Sequence, residues 1–202
     1  IFYSHRFDPN TPLEETMRAL DHIVRSGRAL YVGISNYNAD QTSTAAEILQ
    51  DLGTPFIIHQ HKYNMFYREL EKGTDKIIKA ENLGTIVFSP LSQGLLTSKY
   101  LDGIPEKSRV NSNSAFLNEK DVNEGYLAKA QKLNQIAHDR SQTLAQMALA
   151  WVLNNPVVTS ALVGASSPQQ IEENVATLNN LHFSGGEINK IDKILNSKQK
   201  VI

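Results

Sequence analysis

The chain of 202 residues contains no cysteine. That excludes a disulfide framework, a thiolate zinc site and a cysteine nucleophile, and says little about the compartment. Net charge is nearly absent: 20 Lys and Arg face 21 Asp and Glu, leaving −1. No broad electrostatic pull toward nucleic acid or an anionic membrane is therefore expected. No apolar run reaches the roughly 18 residues of a membrane span, and no signal peptide is visible, so the default location is cytoplasmic. Two glycine-rich phosphate loops are also missing. No strand leads into Gly-x-Gly-x-x-Gly, and there is no Gly-x-x-x-x-Gly-Lys-Ser/Thr. An initiating methionine is absent too. The chain opens at Ile1 inside a strand-like run that lasts to His5, and the expectation is a piece of something longer.

What is present is an ordinary globular composition. Hydrophobic residues make up 41% and charged residues 20%, enough for a sizeable core. Strand-like apolar runs are Ile1 to His5, Ala29 to Ile34, Phe56 to His61, Thr85 to Ser89 and Ala161 to Val163. Helical patterns follow them. One carries Leu13, Met17, Leu20, Ile23 and Val24, with Thr11 as cap, Pro12 at the first helical position and Glu14 at the third. A second is capped by Asn38 or Asp40 and stopped at Gly53. A third covers Glu69 to Asn82. A long polar stretch runs from Pro90 to about Asp121, too long for a plain connection. Helices follow over Val122 to His138, Thr143 to Asn154, a segment ending near Asn179, and Glu187 to Leu195.

Five strands, each followed by a helix, mean right-handed βα units and a parallel sheet. An open doubly wound sheet and a (β/α)8 TIM barrel compete. Polar residues, with Phe88 and Gly164 beside them, gather at the C-terminal ends of the strands: His5, Ser35 and Asn36, Gln60, Ser89 and Ser166. In a barrel that end is the active face, but a barrel needs eight strands and about 250 residues. The expected fold is α/β, a single domain over 1–202, holding the last five βα units of a (β/α)8 barrel.

The stretch from Ala161 to Asn174 organises the rest. A buried strand turns at Gly164, and Ser167, Pro168 and Gln170 open a helix as cap, first position and capping-box partner. Free N–H groups and the helix dipole there form an anion site. An ordinary strand–turn–helix corner would read the same way.

Six motifs in order carry a family resemblance: Ser4-His5-Arg6 with Asp8 to Pro12; Gly33 to Asn36; Phe88 to Leu91 with Gly94; Ser98 to Tyr100; Ile104-Pro105 with Ser108-Arg109; and Gly164 to Ser166 with Asn174. The chain resembles an aldo-keto reductase from Ile1 to about Asn179. The branch is similar to bacterial glyceraldehyde-3-phosphate and methylglyoxal reductases and to the beta subunits of voltage-gated potassium channels. The resemblance implies hydride transfer from reduced nicotinamide, NADP(H), to the carbonyl of an aldehyde or ketone. It implies that His5 hydrogen-bonds the substrate carbonyl, polarising and orienting it. Ser35, Asn36 and Gln60 match residues that hold the nicotinamide carboxamide, whose donors and acceptors these side chains can meet. Phe88 matches the ring that stacks on the nicotinamide, with Ser89 and Leu91 beside it in the same motif. Lys99, Ser108 and Arg109 match the pyrophosphate and adenosine-phosphate positions. Gly164, Ser166, Gln170, Glu173 and Asn174 match the adenosine end. Some branches carry Lys and Arg where this chain has Gly164 and Gln170, which leaves the preference for NADP over NAD open.

One departure is large. The family acid is a tyrosine, assisted by a lysine and an aspartate on early strands. None of Tyr3, Tyr31, Tyr37, Tyr63, Tyr67, Tyr100 and Tyr126 lies on those motifs. The chain alone is expected neither to turn over substrate nor to fold well, since missing strands leave two bare sheet edges. A non-catalytic regulatory subunit on the same fold is the alternative, and a phosphate-binding barrel of other chemistry is a third reading. His59 and His61 share a strand face but gain no further ligand by spacing, so no metal is expected. Partners are a small carbonyl substrate, with no nucleic acid or membrane; a homo-oligomer is left open.

Overall fold

The structure, a computed structural model, describes residues 1–101 and 123–197. The chain divides into two compact units. The first comprises Ile1–Tyr63, Tyr67–Phe88 and Asn155–Leu162; the second comprises Asn64–Phe66, Ser89–Asn154 and the chain from Val163 onward.

The first unit is a five-stranded parallel sheet with helices. Its strands are β1 (Phe2–Ser4), β2 (Val32–Ser35), β3 (Phe56–Lys62), β4 (Gly84–Phe88) and β5 (Ser160–Ala161), and their spatial order is their sequence order. A doubly wound sheet reverses direction at a switch point. This one never does, so it is singly wound, as in a segment of a (β/α)8 barrel. Helices α1 (Leu13–Arg25), α2 (Ala39–Asp51) and α3 (Thr74–Ala80) fill the connections. Met17 and Leu20 of α1, Val32 and Ile34 of β2, Tyr37, and Ala45 and Leu49 of α2 form one buried cluster. Burial of each large apolar side chain contributes about 1.5–3 kcal/mol, which is what seats the helices on this sheet face. The other face is tight at Gly33: a Cβ there would lie 2.6 Å from Tyr3 Cε1 and 2.7 Å from Ile58 Cγ2.

Several local expectations change. Thr11 does not cap α1. Its hydroxyl donates to the Asp8 carboxylate at 2.8 Å, and Pro12 becomes the N-cap. Asp8 also accepts from the Asn10 N–H, so Thr11 belongs to a turn closed on the Asp8 carboxylate ahead of the helix. The strand expected from Ala29 begins at Val32. The helix expected over Glu69 to Asn82 is a 3₁₀ turn, Glu69–Glu71, followed by α3. Gly73, at φ 109°, adopts a left-handed conformation that no helix continues through. Asn38 rather than Asp40 caps α2, in a reciprocal pair with Gln41. The buried strand expected over Ala161 to Val163 is only Ser160–Ala161, with Leu162 46% and Val163 43% exposed. Among the described residues β5 pairs with β4 alone.

The second unit is helical: α4 (Glu124–Asp139), α5 (Leu144–Leu153), α6 (Pro168–Val175) and α7 (Gly185–Asn196). α5 buries Leu144 and every residue from Met147 to Val152, as expected of a helix apolar on all sides. Arg140, just past α4, fastens the turns around it. Its guanidinium donates to Gln142 Oε1 (2.8 Å), Glu187 Oε1 (2.6 Å) and the His182 carbonyl (2.9 Å), and lies 3.7 Å from the Phe183 ring centroid. Leu95, Tyr100, Tyr126 and Ala130 make a smaller core, in which the Tyr126 hydroxyl donates to the Leu95 carbonyl. Among the described residues no helix is long and apolar enough to cross a membrane.

Candidate active site

Strand register assembles part of the expected set in the first unit. Ser4 pairs with Ile34, Ile34 with His59, and Ser35 with Gln60. His5 follows Ser4, so His5, Ser35 and Gln60 stand at one level across three adjacent strands. At about 4.8 Å per strand spacing their backbones span roughly 10 Å. Tyr3, Gly33 and Ile58 meet on the face away from α1 and α2. Alternation brings Ser35 and Gln60, two residues further along, onto that same face; His5 is the residue after the end of β1. Phe88 joins it on β4, where Gln60 pairs with Ile86 and Lys62 with Phe88.

The polar groups at this level carry both donors and acceptors, and Ser35 among them is buried. Asn36 Nδ2 donates to Ser35 Oγ at 2.9 Å, which leaves the Ser35 hydroxyl hydrogen and Asn36 Oδ1 available. The Gln60 amide has no hydrogen-bond partner among the described residues, and Gln60 is half-buried. Together they present donors and acceptors of both kinds, the chemistry a carboxamide needs. The backbone of Asn36 is left-handed (φ 57°), held by its N–H donating to the Gln60 carbonyl at 3.0 Å. Ser89, just after β4, is left-handed as well (φ 53°). Such backbone costs a non-glycine residue about 1 kcal/mol or more, and Asn tolerates it best. His5 lies beyond the end of β1, exposed and without a hydrogen-bond partner among the described residues.

Behind the sheet, His59 and His61 sit buried with ring centroids 5.3 Å apart. The Tyr37 N–H donates to His59 Nε2 at 3.3 Å, so the proton of the neutral ring is on Nδ1, which has no partner among the described residues. Burial first and the neighbouring His61 second bring the His59 pKa down to about 3. His61 is also lowered by burial, and its Nδ1 donates to the Lys62 carbonyl at 2.8 Å. These are neutral structural histidines.

The remaining expected residues belong to the second unit. The Ser89 carbonyl accepts from Asn64 Nδ2 at 2.9 Å. The Leu91 carbonyl accepts from Gly94 and Leu96, closing a tight turn. Lys99 is exposed, its Nζ 5.6 Å from the Tyr100 ring centroid. Ser108 and Arg109 lie outside the described residues. Gly164 adopts no left-handed turn, and the bend falls at Ser166–Ser167 instead. Ser167 caps α6 with Pro168 at its first position. Gln170 does not complete the box on Ser167. Its Oε1 reaches one residue further, accepting from the Ser166 N–H at 2.8 Å and the Ser166 hydroxyl at 3.1 Å. Two donors expected to be free for an anion are thus satisfied internally. Glu173 accepts from Gln169 Nε2, and Asn174 is half-buried on α6.

Two features were not anticipated. Lys62 stands on the Gln60 and Phe88 face. The Tyr63 hydroxyl donates to Glu71 Oε1 at 2.7 Å, while Arg68 grips the same carboxylate. Alternation from Gln60 could have found the first; the second depends on the 3₁₀ turn Glu69–Glu71 that carries Glu71.

A singly wound parallel sheet with polar side chains at its C-terminal strand ends defines a barrel-type enzyme scaffold. Sequence comparison identifies which: the pattern of the aldo/keto reductase family matches residues 1–196, and the chain belongs to that family. It is 49% identical over 197 residues to the L-glyceraldehyde 3-phosphate reductase of Escherichia coli, covering 96% of this chain and 57% of that protein. It is 36% identical over 203 residues to a putative voltage-gated potassium channel subunit beta of Schizosaccharomyces pombe, covering 97% and 59%. The structure of a glycerol dehydrogenase from Gluconobacter oxydans matches with a TM-score of 0.78 at 25% identity, covering 96% of this chain and 57% of that one. The chain thus spans under two thirds of the length of these relatives.

Proposed function

We propose that this chain is the cofactor-holding and carbonyl-orienting portion of an NADPH-dependent oxidoreductase that reduces aldehydes or ketones to alcohols. What supports the reading most is the single level of His5, Ser35 and Gln60 across three parallel strands, with Phe88 on the same face. Ser35, Asn36 and Gln60 would hold a nicotinamide carboxamide, and Phe88 would pack on its ring. A reduced nicotinamide held there would be a hydride donor for a carbonyl carbon. The exposed imidazole of His5 donates an N–H to the carbonyl oxygen, stabilising the charge that grows on it. Lys99, unpaired with any carboxylate among the described residues, and Arg109 would serve the cofactor phosphates, and Gly164, Ser166, Gln170, Glu173 and Asn174 the adenosine end. The proton for the product alcohol comes from residues beyond this set.

The test uses the complete protein. NADPH should quench its fluorescence saturably, and NADPH should be oxidised when 4-nitrobenzaldehyde or glyceraldehyde 3-phosphate is added. Absence of NADPH binding would end the reading. Binding without turnover of any aldehyde would favour a regulatory subunit, which the 36% identity to a putative channel subunit keeps in view.

A further inference from the structure

Lys62 is the last residue of β3 and has no place in the reading above. It pairs in register with Phe88, two residues beyond Gln60. Burial alternates along the strand end: His59, His61 and Tyr63 are buried, Gln60 and Lys62 half-buried. Lys62 therefore shares the face of Gln60 and Phe88, where the carbonyl would react, rather than the helix-packed face. Its ammonium rests 4.7 Å from the Tyr67 ring centroid, a cation–π contact that holds the charge without neutralising it. It makes no ion pair among the described residues. The acidic residues of the following turn are engaged elsewhere, Glu69 by Lys72 and Glu71 by Arg68, each at 2.7 Å.

A half-buried cation on the reacting face, free of a carboxylate and positioned by an aromatic ring, calls for an anionic ligand. Lys62 stands two strands across from His5 and two residues, about 7 Å, further along. A short molecule whose carbonyl meets His5 would bring a group a few bonds away within reach of the flexible lysine stem. We infer that Lys62 is a specificity-determining residue that selects carbonyl substrates bearing a phosphate or carboxylate a few bonds from the reacting carbon. The inference rests on the reductase reading for the identity of the reacting group, but not for the binding of the anion. The cofactor's own phosphates are the other source of such an anion. They are assigned to Lys99, Arg109 and the segment after Gly164, far along the sequence from β3.

The experiment compares the complete protein with Lys62→Gln and Lys62→Arg. Glyceraldehyde 3-phosphate and glyceraldehyde, the same aldehyde without its phosphate, are assayed in parallel. Lys62→Gln should lower the ratio of kcat/KM for the phosphorylated over the plain aldehyde by roughly tenfold or more, chiefly through KM, as loss of one charge-assisted contact requires. Lys62→Arg should restore most of the ratio, and added salt should compress it in the wild type. Calorimetric titration with sn-glycerol 3-phosphate, which has no carbonyl, should show the same weakening. This arm needs no turnover, so failure of the reductase reading does not disguise failure of the lysine assignment. The inference is overturned if sn-glycerol 3-phosphate does not bind the wild type or binds Lys62→Gln equally well. It is also overturned if the ratio is unchanged while NADPH affinity falls, which would give Lys62 to the cofactor.

Discussion

Arg140 offers the sharpest test of how the second unit holds together. Its side chain is only 4% exposed, against 28% for its partner Glu187. Replacing Arg140 by Leu removes the donors to Glu187, Gln142 and the His182 carbonyl and the contact with the Phe183 ring. Breaking a buried ion pair from one side costs about 3–5 kcal/mol, because the abandoned charge stays desolvated. Glu187 is partly exposed and keeps the Ser184 N–H and hydroxyl, each at 2.7 Å, so the low end, about 3 kcal/mol, is expected. Glu187→Gln should cost less, about 1–2 kcal/mol, since an amide oxygen still accepts from the guanidinium. The single tryptophan, Trp151, is 5% exposed on α5 of the same unit and reports its unfolding. Urea titration of the complete protein followed at Trp151 gives the comparison. An Arg140→Leu protein within about 0.5 kcal/mol of wild type would refute the reasoning.

Other outcomes follow from the same geometry. Gly33→Ala places a methyl 2.6 Å from the Tyr3 ring and 2.7 Å from Ile58, and should lower stability by about 1–3 kcal/mol in urea titration; an unchanged midpoint would mean the sheet face yields freely. Asn36→Gly keeps the left-handed backbone but removes the amide, so NADPH affinity should fall while the urea midpoint holds; wild-type affinity would take Asn36 out of the site. Acid should destabilise the protein through His59. Its folded pKa near 3 lies below the ordinary value of 6.5, so below pH 6.5 the unfolded chain takes up a proton the folded chain refuses. Stability is complete above pH 6.5 and declines by up to about 1.4 kcal/mol per pH unit as the pH falls toward 3. His61, lowered too, acts with the same sign. Glu187 adds a loss lower down: hydrogen bonds from Ser184 first, then Arg140, bring it to about 2 from an ordinary 4.5, a contribution present above pH 4.5 and lost as the pH drops toward 2. His59→Gln should flatten the decline between pH 6.5 and 5; an identical slope would clear His59 of the effect.

Much of this protein was legible locally. The helix start at Ser167 with Pro168 was readable, and that of α2 was narrowed to Asn38 or Asp40, because capping joins residues three or four apart. Gly27 and Gly53 end their helices with left-handed backbone for the same local reason. Five apolar runs alternating with helical patterns were enough for a parallel sheet of βα units, and the six motifs were enough for the family. Where a residue had two local partners to choose from, spacing alone did not decide between them. Thr11 prefers Asp8 to its own helix, and Gln170 reaches past Ser167 to Ser166. The apolar run Ala161, Leu162 and Val163 extends beyond the strand that forms, Ser160–Ala161, which pairs with β4 alone among the described residues. Register could not be read either, and register is what sets His5, Ser35 and Gln60 at one level and Lys62 beside Phe88. The sequence by itself determined which elements form and which chemistry their ends carry, because periodicity and capping are short-range. The tertiary structure alone decided which of those ends stand together, because strand pairing joins residues with no short-range signal between them.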